Sequence, residues 1–381
     1  MRIAIVSETF LPQTNGVVTR LCQALRYLRE WGDEVLLLVP ASAGGGGPRE
    51  HAGVRVRGVS GFALPHYPDL SVALPRPAVN RELDRFWPDV VHAVNPAALG
   101  LNAIYHSRRH RVPLVCSFHT HLPRYLQHYG LGALEPVVWQ MLRRVHAEAD
   151  RNLCISRPME EELRGHGFPR LRLGWQGGVD AARFHPCRRS PEARRRLLGA
   201  NPEGPLLLYV GRLGAEKGID RLRGVLDALP QARLALVGDG PHRAVLEQVF
   251  AGSATTFVGR LDGDDLAQAY ASADVFAFPS DTETLGLVVL EAMASGLPVV
   301  AAAAGGVPDL IRSGEDGLLL PPDDTERWVQ ALGALLEEPA RRARLAGRAR
   351  QAVETAWTWE AATGDLRSHY LDLVSESSVA A

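Results

Sequence analysis

Short apolar runs rich in Val, Ile and Leu alternate with helical periodicity from one end of this 381-residue chain to the other. The runs include Ile3–Val6, Val35–Val39, Val90–Val91, Leu114–Cys116 and Leu153–Ile155 in the first half. Leu206–Val210, Leu234–Val237, Val275–Phe278 and Val299–Val300 follow in the second. Helical patterns intervene, for example over 17–31 and 241–250. Continuously apolar strands separated by helices mean parallel sheets covered on both faces. Two sets of such units predict an α/β chain with two doubly wound, Rossmann-like domains. The length suits that number, and a hydrophobic share of 46% with 22% charged residues is ordinary for a globular protein.

The expected boundary lies near 181–203, where Phe184–Cys187 leads into arginine-rich sequence punctuated by Pro and Gly. This gives an N-terminal domain over 1–187, a C-terminal domain over 188–359 and a final helix in 360–381. That helix, expected over about 360–374, packs back on the first domain, and the tail from Ser375 frays. Gly44–Gly47 read as a flexible surface loop because no helix pattern starts there.

No apolar stretch is long enough to span a membrane, and the chain starts directly as a strand without the pattern of a signal peptide. Cys22, Cys116, Cys154 and Cys187 lack metal-ligand spacing and read as reduced thiols of a cytoplasmic protein. The acidic clusters Asp262–Asp265 and Asp323–Asp324 read as solvated turns, so no metal is expected. The net charge is −1. It is divided unevenly, because residues 1–187 hold 22 arginines against 16 acidic residues. A basic half with clusters at Arg108–Arg111 and Arg143–Arg144 suits either plain solvation or docking on an anionic lipid surface.

Of the 42 basic side chains only one, Lys217, is lysine. Arginine serves charge everywhere else, so this position singles out what lysine alone offers, a compact ammonium on a flexible stem. Such a group suits phosphate oxygens. It follows the strand-like run Leu206–Val210 together with Gly211 and Arg212, and ligands of open α/β sheets bind at the carboxyl ends of strands. After Val275–Phe278 comes a loop over 280–285 that feeds a helix starting near Gly286, whose free N–H groups form an anion site. Glu283 lies just before that helix and Glu291 about two turns further along. A carboxylate that accepts two vicinal hydroxyls is a usual way to hold a ribose. Dipole stabilisation by Glu283 and a solvated Glu291 are the plainer alternatives.

Five segments occur in order: Gly211–Lys217, Val237–Pro241, Phe257–Leu261, Glu283–Glu291 and Gly305–Pro308. Together they closely resemble the nucleotide-sugar half of the family-four retaining glycosyltransferases, which have the GT-B fold, two Rossmann-like domains facing a cleft. The resemblance implies that Arg212 and Lys217 hold the donor diphosphate, Glu291 the ribose and Glu283 the donor sugar. It places Gly259, Arg260 and Leu261 around the base and Leu285, Gly286 and Leu287 along the donor. In the first half, Glu8–Val17 resembles the family's glycine loop, which implies that Gly16 reaches the diphosphate. Ser117–His121 resembles the segment beside the attack site, which implies that His119 contacts the donor sugar, with His121 and Arg124 on the acceptor or C6 side.

A narrower resemblance, carried by Leu64–Pro68, Ala93–Ala97, His119–Pro123, Tyr125–Gly130 and Asp281–Glu291, is to the sulfoquinovosyltransferases of photosynthetic membranes. It implies transfer of sulfoquinovose from UDP-sulfoquinovose to diacylglycerol by a peripherally membrane-associated enzyme that needs no metal or other cofactor. Mannosyl- and glucosyltransferases acting on lipids share Glu8–Gln13 and Gly178–Asp180 and are the nearest alternatives. Gly177 departs from the pattern, because a basic residue is expected there. A nucleotide-sugar epimerase would not need the His119–His121 segment. A dinucleotide oxidoreductase lacks its Gly-x-Gly-x-x-Gly after the first strand. A non-catalytic nucleotide-sugar binder would tolerate loss of His119 or Glu283.

Overall fold

The computed structural model describes residues 1–13, 15–41, 47–64, 67–119, 132–199 and 203–380, without the side chains of 63–71 and 378–380. His121, Arg124, the Tyr125–Gly130 segment and Gly44–Gly46 lie outside the described residues. The chain forms two compact units, residues 1–177 with 359–381 and residues 178–358.

The first unit is built on β1 (Arg2–Ser7), β2 (Glu34–Pro40), β3 (Glu50–His51), β4 (Val54–Val59), β7 (Val90–Val94), β8 (Leu114–Phe118), β9 (Arg151–Cys154) and β10 (Leu171–Leu173). Their order across the sheet is β10-β9-β8-β7-β1-β2-β4-β3. All neighbours run parallel except the edge pair β3 and β4. A small antiparallel pair, β5 (Phe62–Leu64) and β6 (Tyr67–Val72), stands apart. The central strands β7 and β8 are buried along their whole length, which is why they read as unbroken apolar runs.

Helix α1 (Gly16–Glu30) begins at Asn15, whose side chain accepts from the amides of Val17 and Val18. Its face Leu21, Leu25 and Leu28 packs into one core with Leu366, Tyr370 and Leu373 of the C-terminal helix, Trp359–Ala380. That helix is held at its side by the fully buried Asp33, which accepts from Arg367 Nε at 2.7 Å and from the amino terminus at 2.9 Å. The expected frayed tail is instead helix as far as Ala380, and Ser375 and Ser377 donate back to the carbonyls of Asp372 and Leu373 within it. On the other face of the sheet lie α2 (Pro77–Phe86) and α3 (Gly100–His110), followed along the chain by α4 (Glu135–His146) and α5 (Arg157–Gly165).

The second unit carries β11 (Leu206–Val210), β12 (Arg233–Val237), β13 (Thr255–Gly259), β14 (Val275–Phe278), β15 (Val299–Ala302) and β16 (Leu318–Leu320), in the order β13-β12-β11-β14-β15-β16. Every neighbouring pair is parallel. Helices α6 (Pro191–Leu198), α7 (Leu222–Ala228), α8 (Arg243–Val249), α9 (Gly263–Ser272), α10 (Leu287–Ala294), α11 (Thr325–Glu337) and α12 (Pro339–Ala356) intervene or follow. The final helix of the chain is therefore α13.

The units divide ten residues before the expected boundary, at 177 rather than 187, and Trp359 falls in the first unit. Side-chain anchors explain the shift. Arg350 donates to the carbonyls of Ala181 and Phe184, and the amide of Val179 donates to Trp357 O at 3.0 Å. The Phe184–Cys187 segment thus belongs to the second core. The acidic clusters are also more than solvated turns. Asp262 precedes α9, with Asp264 and Asp265 in its first turn, where they complement the helix dipole. Asp324 caps α11, and Asp323 pairs with Arg221 at 3.1 Å.

Candidate active site

In each sheet the strand order reverses once beside its first strand, between β1 and β7 and between β11 and β14. Those switch points are where the loops after neighbouring strands leave in opposite directions and open a crevice. In the second unit the crevice is flanked by Gly211–Lys217 after β11 and Pro279–Gly286 after β14. Lys217 Nζ donates to Glu283 Oε2 at 2.7 Å across it, with both side chains largely buried. Arg212 pairs with Glu216. The two cations expected to hold a diphosphate are therefore already oriented by carboxylates on the same surface.

The loops are fixed by close backbone approaches that only glycine permits. A Cβ on Gly238 would collide with the carbonyl oxygen of Gly211, whose amide donates to Val237 O at 3.0 Å. A Cβ on Gly305 would collide with Glu283 O, and the amide of Gly306 donates to that same oxygen at 2.8 Å. This is the physical content of the Val237–Pro241 and Gly305–Pro308 segments: they press two loops into one shape. Gly286, at φ 97°, is the left-handed residue just before α10, and Leu285 is buried behind it.

Glu291 lies on α10, where its Oε2 accepts from the Tyr270 hydroxyl of α9 at 2.8 Å. Burial pushes its carboxyl up to about 7, against the pull of that hydrogen bond. It is not a solvated helix residue. Gly259 ends β13 at φ 80° with open space around its Cβ direction, and Arg260 and Leu261 follow it.

Three residues of this surface were not singled out in the sequence. Arg221 donates to Pro279 O at 3.1 Å and to Asp281 at 2.8 Å, which holds the loop after β14. Thr282 Oγ1 donates to Glu216 O at 2.9 Å and ties that loop to the one after β11. Glu216 completes the set. The spacing of Glu216 four residues after Arg212 was the available signal for that pair, whereas the partners of Arg221 and Thr282 lie about 60 residues away in sequence.

In the first unit, Gly16 is the first residue of α1, exposed beside the capping Asn15. Glu8 at the end of β1 accepts from the amides of Ala97 and Gly100, both at 2.9 Å, and so anchors the start of α3. Burial raises its carboxyl while these amides draw it back. His119 follows β8 and is buried. Its ring meets Ser117 Oγ through Nε2 at 2.8 Å and Arg20 Nη1 through Nδ1 at 2.9 Å. Ser117 Oγ also meets His92 Nε2 at 2.8 Å, and His92 Nδ1 meets the Tyr370 hydroxyl at 2.6 Å. Burial drives His92 down to about 3 and His119 well below its ordinary range, so both rings are neutral at pH 7. Gly177 is buried.

Among the described residues one group of metal-ligand types gathers, Asp84, His106 and His110. Asp84 Oδ1 sits 3.0 Å from His106 Nδ1 and 3.1 Å from His110 Nε2, joining α2 to α3 away from the switch point of their own sheet.

Two family models cover most of the chain: glycosyltransferase family 4 over residues 14–183 and glycosyl transferases group 1 over 191–352. The sulfoquinovosyl transferase SQD2 of Arabidopsis thaliana is 42% identical over 375 residues, 96% of this chain and 72% of that one. A GDP-mannose-dependent alpha-mannosyltransferase of Mycolicibacterium smegmatis is 39% identical over 384 residues, 100% of each chain. Among solved structures, Anabaena HepE in complex with UDP and glucose superposes with a TM-score of 0.78 at 20% identity, covering 98% of this chain and 100% of that one. Sucrose-phosphate synthase from Thermosynechococcus elongatus does so with a TM-score of 0.76 at 23% identity, covering 98% and 99%. The chain belongs to the family-four glycosyltransferases and has the GT-B fold. It is a glycosyltransferase, with kinship to enzymes named for sulfoquinovosyl and for mannosyl transfer.

Proposed function

We propose that the chain is a retaining glycosyltransferase that moves sulfoquinovose from UDP-sulfoquinovose to diacylglycerol, making a sulfolipid. The observation that carries this reading is the 42% identity to the Arabidopsis sulfoquinovosyl transferase over 96% of the chain. In the mechanism proposed, Arg212, Lys217 and the N-terminus of α10 stabilise the departing diphosphate, with the ammonium and guanidinium exchanging carboxylate partners for phosphate oxygens. Glu291 receives the ribose hydroxyls, Glu283 the donor sugar and Gly259–Leu261 the base. Gly16 approaches the diphosphate and His119 the sugar, with His121 and Arg124 on the acceptor side. The new bond forms on the face from which the leaving group departs, and the acceptor proton passes to a phosphate oxygen. No metal takes part, so chelators leave turnover unchanged.

Peripheral association with an anionic leaflet on the cytoplasmic side completes the reading. It is supported by Leu134 at the N-cap of α4 and by Val137 and Met141 on it, 49%, 62% and 47% exposed, with Arg144 on the same face. No helix of the described residues is long and apolar enough to cross a membrane. A GDP-mannose-dependent lipid mannosyltransferase is the second reading, favoured by the end-to-end match to the mycobacterial enzyme. Incubation of the purified chain with diacylglycerol and each nucleotide sugar decides between them. UDP release and sulfolipid by mass spectrometry are expected with UDP-sulfoquinovose. Turnover with GDP-mannose or UDP-glucose instead would overturn the sulfolipid reading and spare the transferase one.

A further inference from the structure

Arg20, in the second turn of α1, is 2% exposed, and no described carboxylate pairs with it. An isolated cation in a core is costly, so its few partners carry weight. Nη1 lies 2.9 Å from His119 Nδ1, and the guanidinium carbon sits 6.0 Å over the ring of Trp175. Burial alone lowers the guanidinium to about 9, which leaves it a cation at neutral pH. A guanidinium offers donors and no acceptor. His119 Nδ1 must therefore be the bare, accepting nitrogen, and the ring proton resides on Nε2, which faces Ser117 Oγ at 2.8 Å. The second nitrogen of a histidine sets the tautomer of the first.

We propose that Arg20 is a positioning residue for glycosyl transfer: it locks His119 as the neutral Nε2–H tautomer and clamps its ring between Ser117 and Trp175. The surroundings make this a built arrangement. The backbone amide of His119 donates to Asn95 Oδ1 at 2.8 Å. Trp175 meets the His119 ring edge to face at 4.9 Å, and its own amide donates to Asp365 of α13 at 2.7 Å. Ser117 is held from its far side by His92, which Tyr370 of α13 holds in turn. Both ring nitrogens of His119 are occupied within the protein. It meets a sugar with a preset orientation and does not serve as a general base. The catalytic consequence rests on the proposed placement of His119 at the donor sugar, whereas the tautomer does not.

The experiment is long-range proton–nitrogen NMR on the full chain labelled with 15N-histidine, with the His119 signals identified by their loss in His119→Gln. A protonated Nε2 and a bare Nδ1 are expected at pH 7. A protonated Nδ1, or an imidazolium, overturns the assignment; the tautomer is read on the wild-type chain, and His119→Gln serves only to identify the signals. Arg20→Lys, which keeps a buried cationic donor, is expected to retain the tautomer and most activity. Arg20→Leu is expected to release His119 into a mixture of tautomers and to lower kcat by roughly tenfold or more, while KM for the nucleotide sugar stays within about twofold. If Arg20→Leu shifts the tautomer and leaves kcat unchanged, the placement of His119 at the sugar fails and the tautomer lock stands.

Discussion

Lys217 Nζ and Glu283 Oε2 lie 2.7 Å apart, bridging the loops after β11 and β14 where the second sheet reverses its order. The pair holds the ammonium in place before any anion arrives. In the proposed mechanism a donor phosphate takes Glu283's place on the ammonium.

Lys217→Ala removes that ammonium. A charge-assisted bond contributes about 1.5–3 kcal/mol, so UDP affinity by calorimetry is expected to fall about 10–150-fold, with transfer abolished. Lys217→Arg keeps the charge but puts a planar fork in a space sized for an ammonium, and a marked loss of transfer is expected. Wild-type rates in either variant would remove Lys217 from the donor site.

Glu291 titrates near neutrality, because burial raises it from 4.5 to about 7. The protonated form is the one the fold favours. Its stabilising contribution is complete below the unfolded value near 4.5 and is lost as pH rises through about 7. Glu291→Gln should therefore be more stable than wild type at pH 8, with the gap closing toward pH 4.5, measured by urea denaturation. Ribose hydroxyls need the ionised form, so UDP affinity is expected to weaken by up to roughly tenfold between pH 8 and pH 6 in wild type. A flat profile would take Glu291 out of ribose binding.

Gly305→Ala places a methyl group against Glu283 O at a backbone with φ 56°. Displacing that carbonyl moves Glu283 and disturbs the approach to α10. A destabilisation of about 1–3 kcal/mol and a loss of transfer are expected together, read by thermal unfolding and by UDP release. Retention of full transfer would show that the loop tolerates the shift.

Leu366 on α13 is fully buried against the core that α1 supplies. Leu366→Ala is expected to cost about 2–5 kcal/mol in chemical denaturation. A change below about 0.5 kcal/mol would mean that the C-terminal helix contributes little to the first unit.

Much of the fold was legible because buried parallel strands show as apolar runs. The runs Leu206–Val210 and Val275–Phe278 coincide with strands, and the helix expected near Gly286 begins at Leu287. Boundaries were read less well where side chains decide them. The carbonyls of Ala181 and Phe184 are claimed by Arg350, 169 and 166 residues away, and nothing local announces that.

Position in the sequence determined which groups stand at strand ends: Arg212 and Lys217 after one strand, Glu283 after another, His119 after a third. Tertiary structure alone decided their partners. Glu283 meets a lysine 66 residues away, Arg20 meets a histidine 99 away, and His92 meets a tyrosine 278 away on the last helix. The physical reason is that a strand's apolar pattern sets its burial but not its neighbour. Sheet order, which brings β11 beside β14, and helix packing, which sets α13 on α1, create the close charges and low-dielectric surroundings that give these side chains their chemistry.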